Sequence, residues 1–222
     1  MEAIFKPMKV LVACEESQAI TKELRKLGHE AYSCDLQDCS GGHPEWHIKG
    51  DALALAYDSS YNWDMMIAHP PCTYLAVSGL HWNKKRPERA KLTEEALVFV
   101  KKLMDAPIPK IAIENPVSCI STRIRKPEQI VEPWMFGDLA AKKTCLWLKG
   151  LPKLIPDITD KPELEYVEYG NGNRMQKWMY DIRCTTTKDG KRAKLASKTF
   201  EGLAKAIAYQ WGKSEDINGS DF

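Results

Sequence analysis

Five short apolar runs, each followed at once by a residue able to do chemistry, constrain this chain more than any other feature. Lys9-Val-Leu-Val-Ala-Cys14 has the length and content of a buried parallel strand. Glu30-Ala-Tyr-Ser-Cys-Asp35 is a second strand and ends on an acid, and a short third ends at Gly50-Asp51. Trp63 to His69 is a fourth, running into Pro70-Pro71-Cys72, and Lys110-Ile-Ala-Ile-Glu114 is a fifth. Thr144 to Lys149 supplies a further strand. Helical patterns lie between them. Ala19, Ile20, Leu24 and Leu27 share a face, with Ser17 as the expected cap and Gly28 at the stop position. Residues 52–57 read as a turn or two of helix. Residues 92–105 read as an amphipathic helix through Leu92, Ala96, Phe99, Val100 and Leu103. Strands alternating with helices predict an α/β sheet whose site lies at the strand carboxyl ends. Cys14, Asp35, Asp51, Pro70 to Cys72 and Glu114 all fall there.

At 222 residues, the chain has room for one domain and a small appended lobe. The net charge of +2 is too small to argue for any partner, so the distribution of charge matters more. No apolar run approaches the roughly 18 residues of a membrane span. Seven cysteines, an odd number, with no secretory pattern at the start, predict free thiols in a reducing cytoplasm. Composition changes after Gly150, where Pro152, Pro156 and Pro162 interrupt the pattern. The expected division is a catalytic and cofactor-binding part over 1–150, a lobe over 151–196, and a returning helix with a frayed tail over 197–222. Between Arg174 and Lys198, eight basic residues face only Asp181 and Asp189. The helix of the last part is patterned by Leu203, Ala206, Ile207 and Gln210.

The chemistry concentrates in His69-Pro-Pro-Cys72, Ser78-Gly79 and Ile113-Glu-Asn-Pro116. Together, in this order, they resemble the DNA cytosine-C5 methyltransferase family. The resemblance covers roughly residues 9–150 and the last helix. It implies a Rossmann-like, S-adenosylmethionine-dependent methyltransferase sheet with a small basic recognition lobe. It also implies Cys72 as the nucleophile, with Glu114 and Asn115 holding the base. The residue types suit that reaction. C5 of cytosine is a poor nucleophile until a thiolate adds to C6, and only Cys offers a soft nucleophile partly ionised near neutral pH. A carboxyl group at the N3 edge stabilises the adduct by sharing a proton. The plain alternative is a buried loop thiol beside a surface acid.

The implied cofactor is S-adenosyl-L-methionine. Its expected contacts are Cys14, Glu15, Glu16, Asp35, Asp51 and Pro70, with Ser197 and Thr199 returning late in the chain to complete the pocket. The family places a Gly-rich loop after the first strand, and here Ala13 to Gln18 contains no glycine. A donor without a pyrophosphate does not need a glycine phosphate cradle. Asp35 suits ribose hydroxyls and Asp51 the adenine amino group, each with a helix cap as its rival. The implied partner is double-stranded DNA with its target base flipped out. Expected contacts are Ser78, His81, Lys84, Lys85 and Arg86 after the nucleophile, then Lys142 and Lys143, then Arg174, Arg183, Lys191 and Arg192 in the lobe. Tyr166, Tyr169, Trp178 and Tyr180 either stack on bases or pack the lobe. The family's usual arginines before the late strand are not matched, and Pro116 replaces a usual Val. The expected state is a monomer in a bacterial or phage-infected cell. Two other readings stay open: the same chemistry on RNA or a free nucleotide, and a silent relative that binds DNA or protein. A loose zinc pattern over Cys34, Cys39, His43 and His47 is a rival; no metal is expected.

Overall fold

The computed structural model describes residues 6–185, 195 and 197–213. Among these a seven-stranded, mostly parallel sheet runs in the order β3-β2-β1-β4-β5-β7-β6. The strands are β1 (Lys9–Ala13), β2 (Glu30–Asp35), β3 (His47–Lys49), β4 (Met65–Ala68), β5 (Lys110–Pro116), β6 (Gln129–Val131) and β7 (Thr144–Lys149). The first five are parallel to one another, while β7 is antiparallel to both β5 and β6. The pattern of helices and strands is compatible with a Rossmann-like fold.

Alternation along the strands builds two cores. Val10, Val12, Met65 and Ile67 face α1 (Ala19–Lys26) and the last helix, packing on Ile20, Leu24, Leu203, Ile207 and Trp211. Leu11, Ala13, Met66, Ala68, Ile111 and Ile113 face the opposite layer. That layer holds α2 (Ala52–Tyr57) and a long helix over Pro87–Met104, which contributes Leu97, Val100 and Leu103. Burial on both faces explains why these strands read as continuous apolar runs. Each fully buried Leu or Ile contributes about 1.5–3 kcal/mol. Two short helices, α3 (Val77–Leu80) and α5 (Ile120–Arg123), flank the long helix, which is α4.

Several expectations need correction. The first helix is capped by Glu15 rather than Ser17: its carboxylate accepts from Ile20 N at 2.7 Å and Thr21 N at 3.3 Å. The helix over 92–105 begins five residues earlier, at Pro87, a position where a missing N–H costs nothing. Its inner face carries Thr93 in place of Leu92, which is exposed. Thr93 is tolerated there because its hydroxyl donates to Tyr74 O and accepts from Asn83 Nδ2, both at 2.9 Å. Past Gly150, where no periodicity was expected, the chain forms a hairpin and a helix: β8 (Tyr166–Tyr169) with β9 (Asn173–Gln176), and α6 (Lys177–Thr185). Gly28 does end α1, with φ 89°, and Asp51 caps α2 through Leu53 N at 2.9 Å.

The last helix, α7 (Glu201–Gly212), closes the first core, and Gly212 is its buried end, not the start of a frayed tail. Residues 214–222 lie outside the described residues. Asp138 accepts from Gly202 N at 3.0 Å and so satisfies the start of this helix. Gly202 presses on the Phe136 carbonyl, where a Cβ would overlap it. Gly202→Ala is therefore expected to cost about 3 kcal/mol through forced displacement of α7. Urea unfolding of the two proteins, compared at equal slope, measures it.

Candidate active site

The chain runs outward from β1 to β2 and β3, then crosses back to place β4 on the other side of β1. Reversal of strand order opens a crevice at the carboxyl ends of β1 and β4. A cleft of about 630 Å³ lies there. Its walls bring together Cys72, Glu114 and Asn115 with Cys14, Glu15, Glu16, Asp35, Pro70, Lys142, Ser197 and Thr199. Eleven of the residues singled out from sequence thus share one cavity, though they come from six separate stretches of chain.

The floor of the cleft is welded by side chains. Asn115 is buried, and its Nδ2 donates to Pro70 O at 2.7 Å, tying the exit of β5 to the Pro-Pro-Cys turn. His69 N donates to Ala13 O at 2.9 Å, extending the β1–β4 pairing past the strands. Cys72 then opens a turn in which Leu75 N and Ala76 N both donate back to its carbonyl. The thiol is half-buried beside the cleft. Burial pushes its pKa above the usual value; the Lys142 charge opposes this and the Glu114 carboxylate adds to it.

His69 opens the motif His69-Pro-Pro-Cys72, but the sequence reading assigned it no role of its own. Its Nδ1 lies 2.9 Å from Glu114 Oε2, joining the ends of β4 and β5. Burial drives the Glu114 pKa up, but the hydrogen bond and charge of His69, with the Lys142 charge, overcome that and hold it below the usual carboxylate range. Burial works against a charged His69 as well. Glu114 and the Glu15 charge outweigh burial and the Lys142 charge, leaving His69 above its ordinary value. An ion pair is the consistent state of the two. The only sequence signal was a histidine standing where the strand meets Pro70-Pro71.

On the other side of the cleft, the glycine-free loop adopts the backbone that glycines usually provide. Cys14 and Gln18 both take left-handed conformations, at φ 59° and 55°. Gln18 is locked there: its Nε2 donates to His43 O at 2.8 Å, and its Oε1 accepts from His43 N at 3.1 Å. The needed glycine lies elsewhere in sequence. Gly41 packs so closely that a Cβ would sit 2.5 Å from the Gln18 Cβ and 2.6 Å from Ser17 O. Glu16 is buried and accepts from the Ser40 hydroxyl. Asp35 ends β2 and accepts from Gln37 N at 2.9 Å. Asp51 does not line the cleft; it caps α2. Burial pushes the Cys14 thiol up, and the charges of Asp35 and, less, Asp51 add to it.

The basic residues divide into three groups. His81, Lys84, Lys85 and Arg86 stand exposed on the segment after the nucleophile, with Lys85 and Arg86 5.4 and 5.2 Å from the Trp82 ring. Ser78 is exposed on α3 at the start of that segment. Lys143 is exposed and does not line the cleft that Lys142 lines. Arg174 and Arg183 lie over Tyr166 and Tyr169 of the hairpin, 5.2 and 5.1 Å away. Lys191 and Arg192 lie outside the described residues. The lobe's aromatic rings pack: Trp178 meets Phe200 edge-on at 5.2 Å, and Tyr169 lies 6.5 Å from Tyr180. Gln176 fastens the hairpin to Ala141 through two 2.7 Å bonds.

The zinc pattern is dispersed. Cys34 donates to Gly50 O, both His47 nitrogens are engaged, and His43 stacks on Trp46 at 3.9 Å. No cluster of three metal-ligating side chains occurs among the described residues. Nor, among them, is any helix long and apolar enough to cross a membrane. Neither the models of known protein families nor the curated proteins give a match to this sequence.

Because Glu15 caps α1 through two backbone amides and the Thr21 hydroxyl, Glu15→Ala is expected to lose about 2 kcal/mol of stability. Thermal unfolding measures it, and Glu15→Gln is expected to recover part of the loss.

Proposed function

We propose that this protein is a DNA cytosine-C5 methyltransferase that uses S-adenosyl-L-methionine. One observation carries the reading. A half-buried thiol and a mostly enclosed carboxylate stand at the carboxyl ends of adjacent parallel strands and face one cleft at the switch point of the sheet. Cys72 adds to C6 of the flipped base, and Glu114 faces its N3 edge. Asn115 serves the turn that aims Cys72.

The cleft suits the donor. Its volume lies within the usual range for small-ligand sites. Asp35, at the end of the second strand, is placed for ribose hydroxyls, and the acids Glu15 and Glu16 favour a cation beside them. When bound, the donor supplies an electrophilic methyl group. Ser197 and Thr199 close the cleft from the late segment. Asp51 has no part in this reading, being a helix cap.

Duplex DNA would approach over the exposed segment 78–86, next to Cys72, with Arg174 and Arg183 on the flank. Arg89 braces that segment: it donates to Thr73 O at 2.5 Å and lies 4.9 Å from the Tyr74 ring.

Incubation with labelled donor and mixed duplex DNA, followed by nucleoside analysis, is expected to yield 5-methylcytosine. Cys72→Ala is expected to abolish it while binding donor as the wild type does in calorimetry. DNA carrying 5-fluorocytosine is expected to trap a covalent adduct at Cys72, because fluorine cannot leave C5 as a proton does. Label in RNA or free nucleotide alone would move the substrate class, and no label with any of them would point to a silent relative.

For the segment after the nucleophile, the expectation concerns salt. Replacing Lys84, Lys85 and Arg86 together by Gln should weaken binding to all duplexes. It should also flatten the dependence of log affinity on log salt by about two to three, near 0.9 per lost phosphate contact. An unchanged slope would move the contact to the lobe.

A further inference from the structure

We propose that His69 is a positioning residue that keeps Glu114 ionised, so that Glu114 takes the thiol proton of Cys72 and hands it to N3 of the target cytosine. The proposal rests on the cytosine reading above and adds the source and path of the proton.

The nucleophile needs a base. Burial and the neighbouring carboxylate both favour the neutral thiol of Cys72. Glu114 is the acid whose charge reaches that thiol, and it lines the same cleft. Left alone at a buried strand end, Glu114 would itself be protonated and useless as a base, since burial is the largest influence on it. The 2.9 Å contact from His69 Nδ1 reverses that. Among the described residues the His69 Nε2 is buried without a hydrogen-bond partner, so within them the ring is held through Nδ1 and Glu114. The charged groups facing His69 are Glu114 from β5, Glu15 from the loop after β1, and Lys142 ahead of β7. Two of the three are acids, which favour the imidazolium.

The step balances internally. The thiol proton moves to the Glu114 carboxylate, and the sulfur pair forms the S–C6 bond. The C5–C6 π pair shifts to C4–C5, and the C4–N3 π pair takes the proton from Glu114, which returns to carboxylate. His69 keeps its charge throughout, and no proton is drawn from solvent. C5 is left as the nucleophilic carbon of an enamine.

Two assays without donor test this. The first is deuterium exchange at C5 of cytosine in duplex DNA, followed against pH. His69→Asn keeps an N–H for Glu114 but cannot carry charge. It is expected to move the acid limb of exchange upward by about one pH unit, a roughly tenfold loss on that limb, with recovery at higher pH. A loss of equal size at every pH would mean a structural role and would overturn the proposal. The second is alkylation of Cys72 by iodoacetamide in the protein alone. Glu114→Gln removes a like charge beside the thiol, so alkylation at neutral pH is expected to rise while C5 exchange disappears. Unchanged or slower alkylation would sink the electrostatic coupling of Cys72 to Glu114 across the cleft, on which the path depends. No exchange by the wild type at any pH would overturn the cytosine reading and the N3 step with it. The alkylation response would then still decide the thiol arm by itself.

Discussion

The hydrogen bond from Asn115 to the Pro70 carbonyl holds together the two loops on which the cleft depends. A parallel sheet buried on both faces satisfies its backbone internally until the strands stop. At their carboxyl ends the chain must turn, and the polar groups it releases need partners out of reach of bulk water. Two consecutive prolines make this sharper after β4, because neither Pro70 nor Pro71 can donate an N–H. The Pro70 carbonyl is met by an amide side chain from the neighbouring strand, 45 residues away. Loss of that bond would leave a buried acceptor unpaired, at a cost of about 1–3 kcal/mol, and release the turn that presents Cys72. Packing and chemistry therefore meet in one residue.

The loop after β1 solves a different problem by the same means. Left-handed backbone at a residue with a Cβ costs on the order of 1–3 kcal/mol and survives only where the surroundings enforce it. For Gln18 the enforcement is visible: both ends of its amide are held by the backbone of His43, and α1 begins immediately beyond it. Glu15 clamps the same turn from inside by capping that helix. The loop needs no glycine because the space a glycine would have provided comes from Gly41 on the facing segment. The geometry expected of a glycine-rich loop can thus be assembled from residues 20 or more positions apart.

This separation explains what could be read from the chain. The strands β1, β2, β4, β5 and β7 and the Gly28 stop are written in local pattern, and local pattern was enough; for Asp51 it left a helix cap and a cofactor contact equally open, and the cap is what forms. The direction of β7 is not local: Thr144 to Leu148 is equally apolar whichever way it runs. β6 spans three residues, too few to show a period. The hairpin from Tyr166 to Gln176 turns at Gly170-Asn171-Gly172, a signal present in the sequence but hidden among polar neighbours. The shared cleft was legible as a set of strand ends. His69 was not, because a histidine acquires meaning only from its partner, and Glu114 lies 45 residues downstream.

The arrangement also settles how so many ionisable groups can stand in one half-buried cavity. An unpaired buried charge is costly, whereas a hydrogen-bonded pair of opposite sign is tolerated. His69 and Glu114 are such a pair, so the target side of the cleft is close to neutral. Acids dominate toward the β1 and β2 ends, where Glu16 and Asp35 stand, with Glu15 committed to α1. Lys142 and Lys198 enter from the β7 side and the late segment. Charge is therefore graded across the cavity, negative where a cationic donor would rest and balanced where an uncharged base would react. In the proposed reaction a proton would pass between Cys72, Glu114 and the base without creating a new unpaired charge in the interior. Strand order placed these residues together, and the pairing of His69 with Glu114 makes the burial of both side chains tolerable.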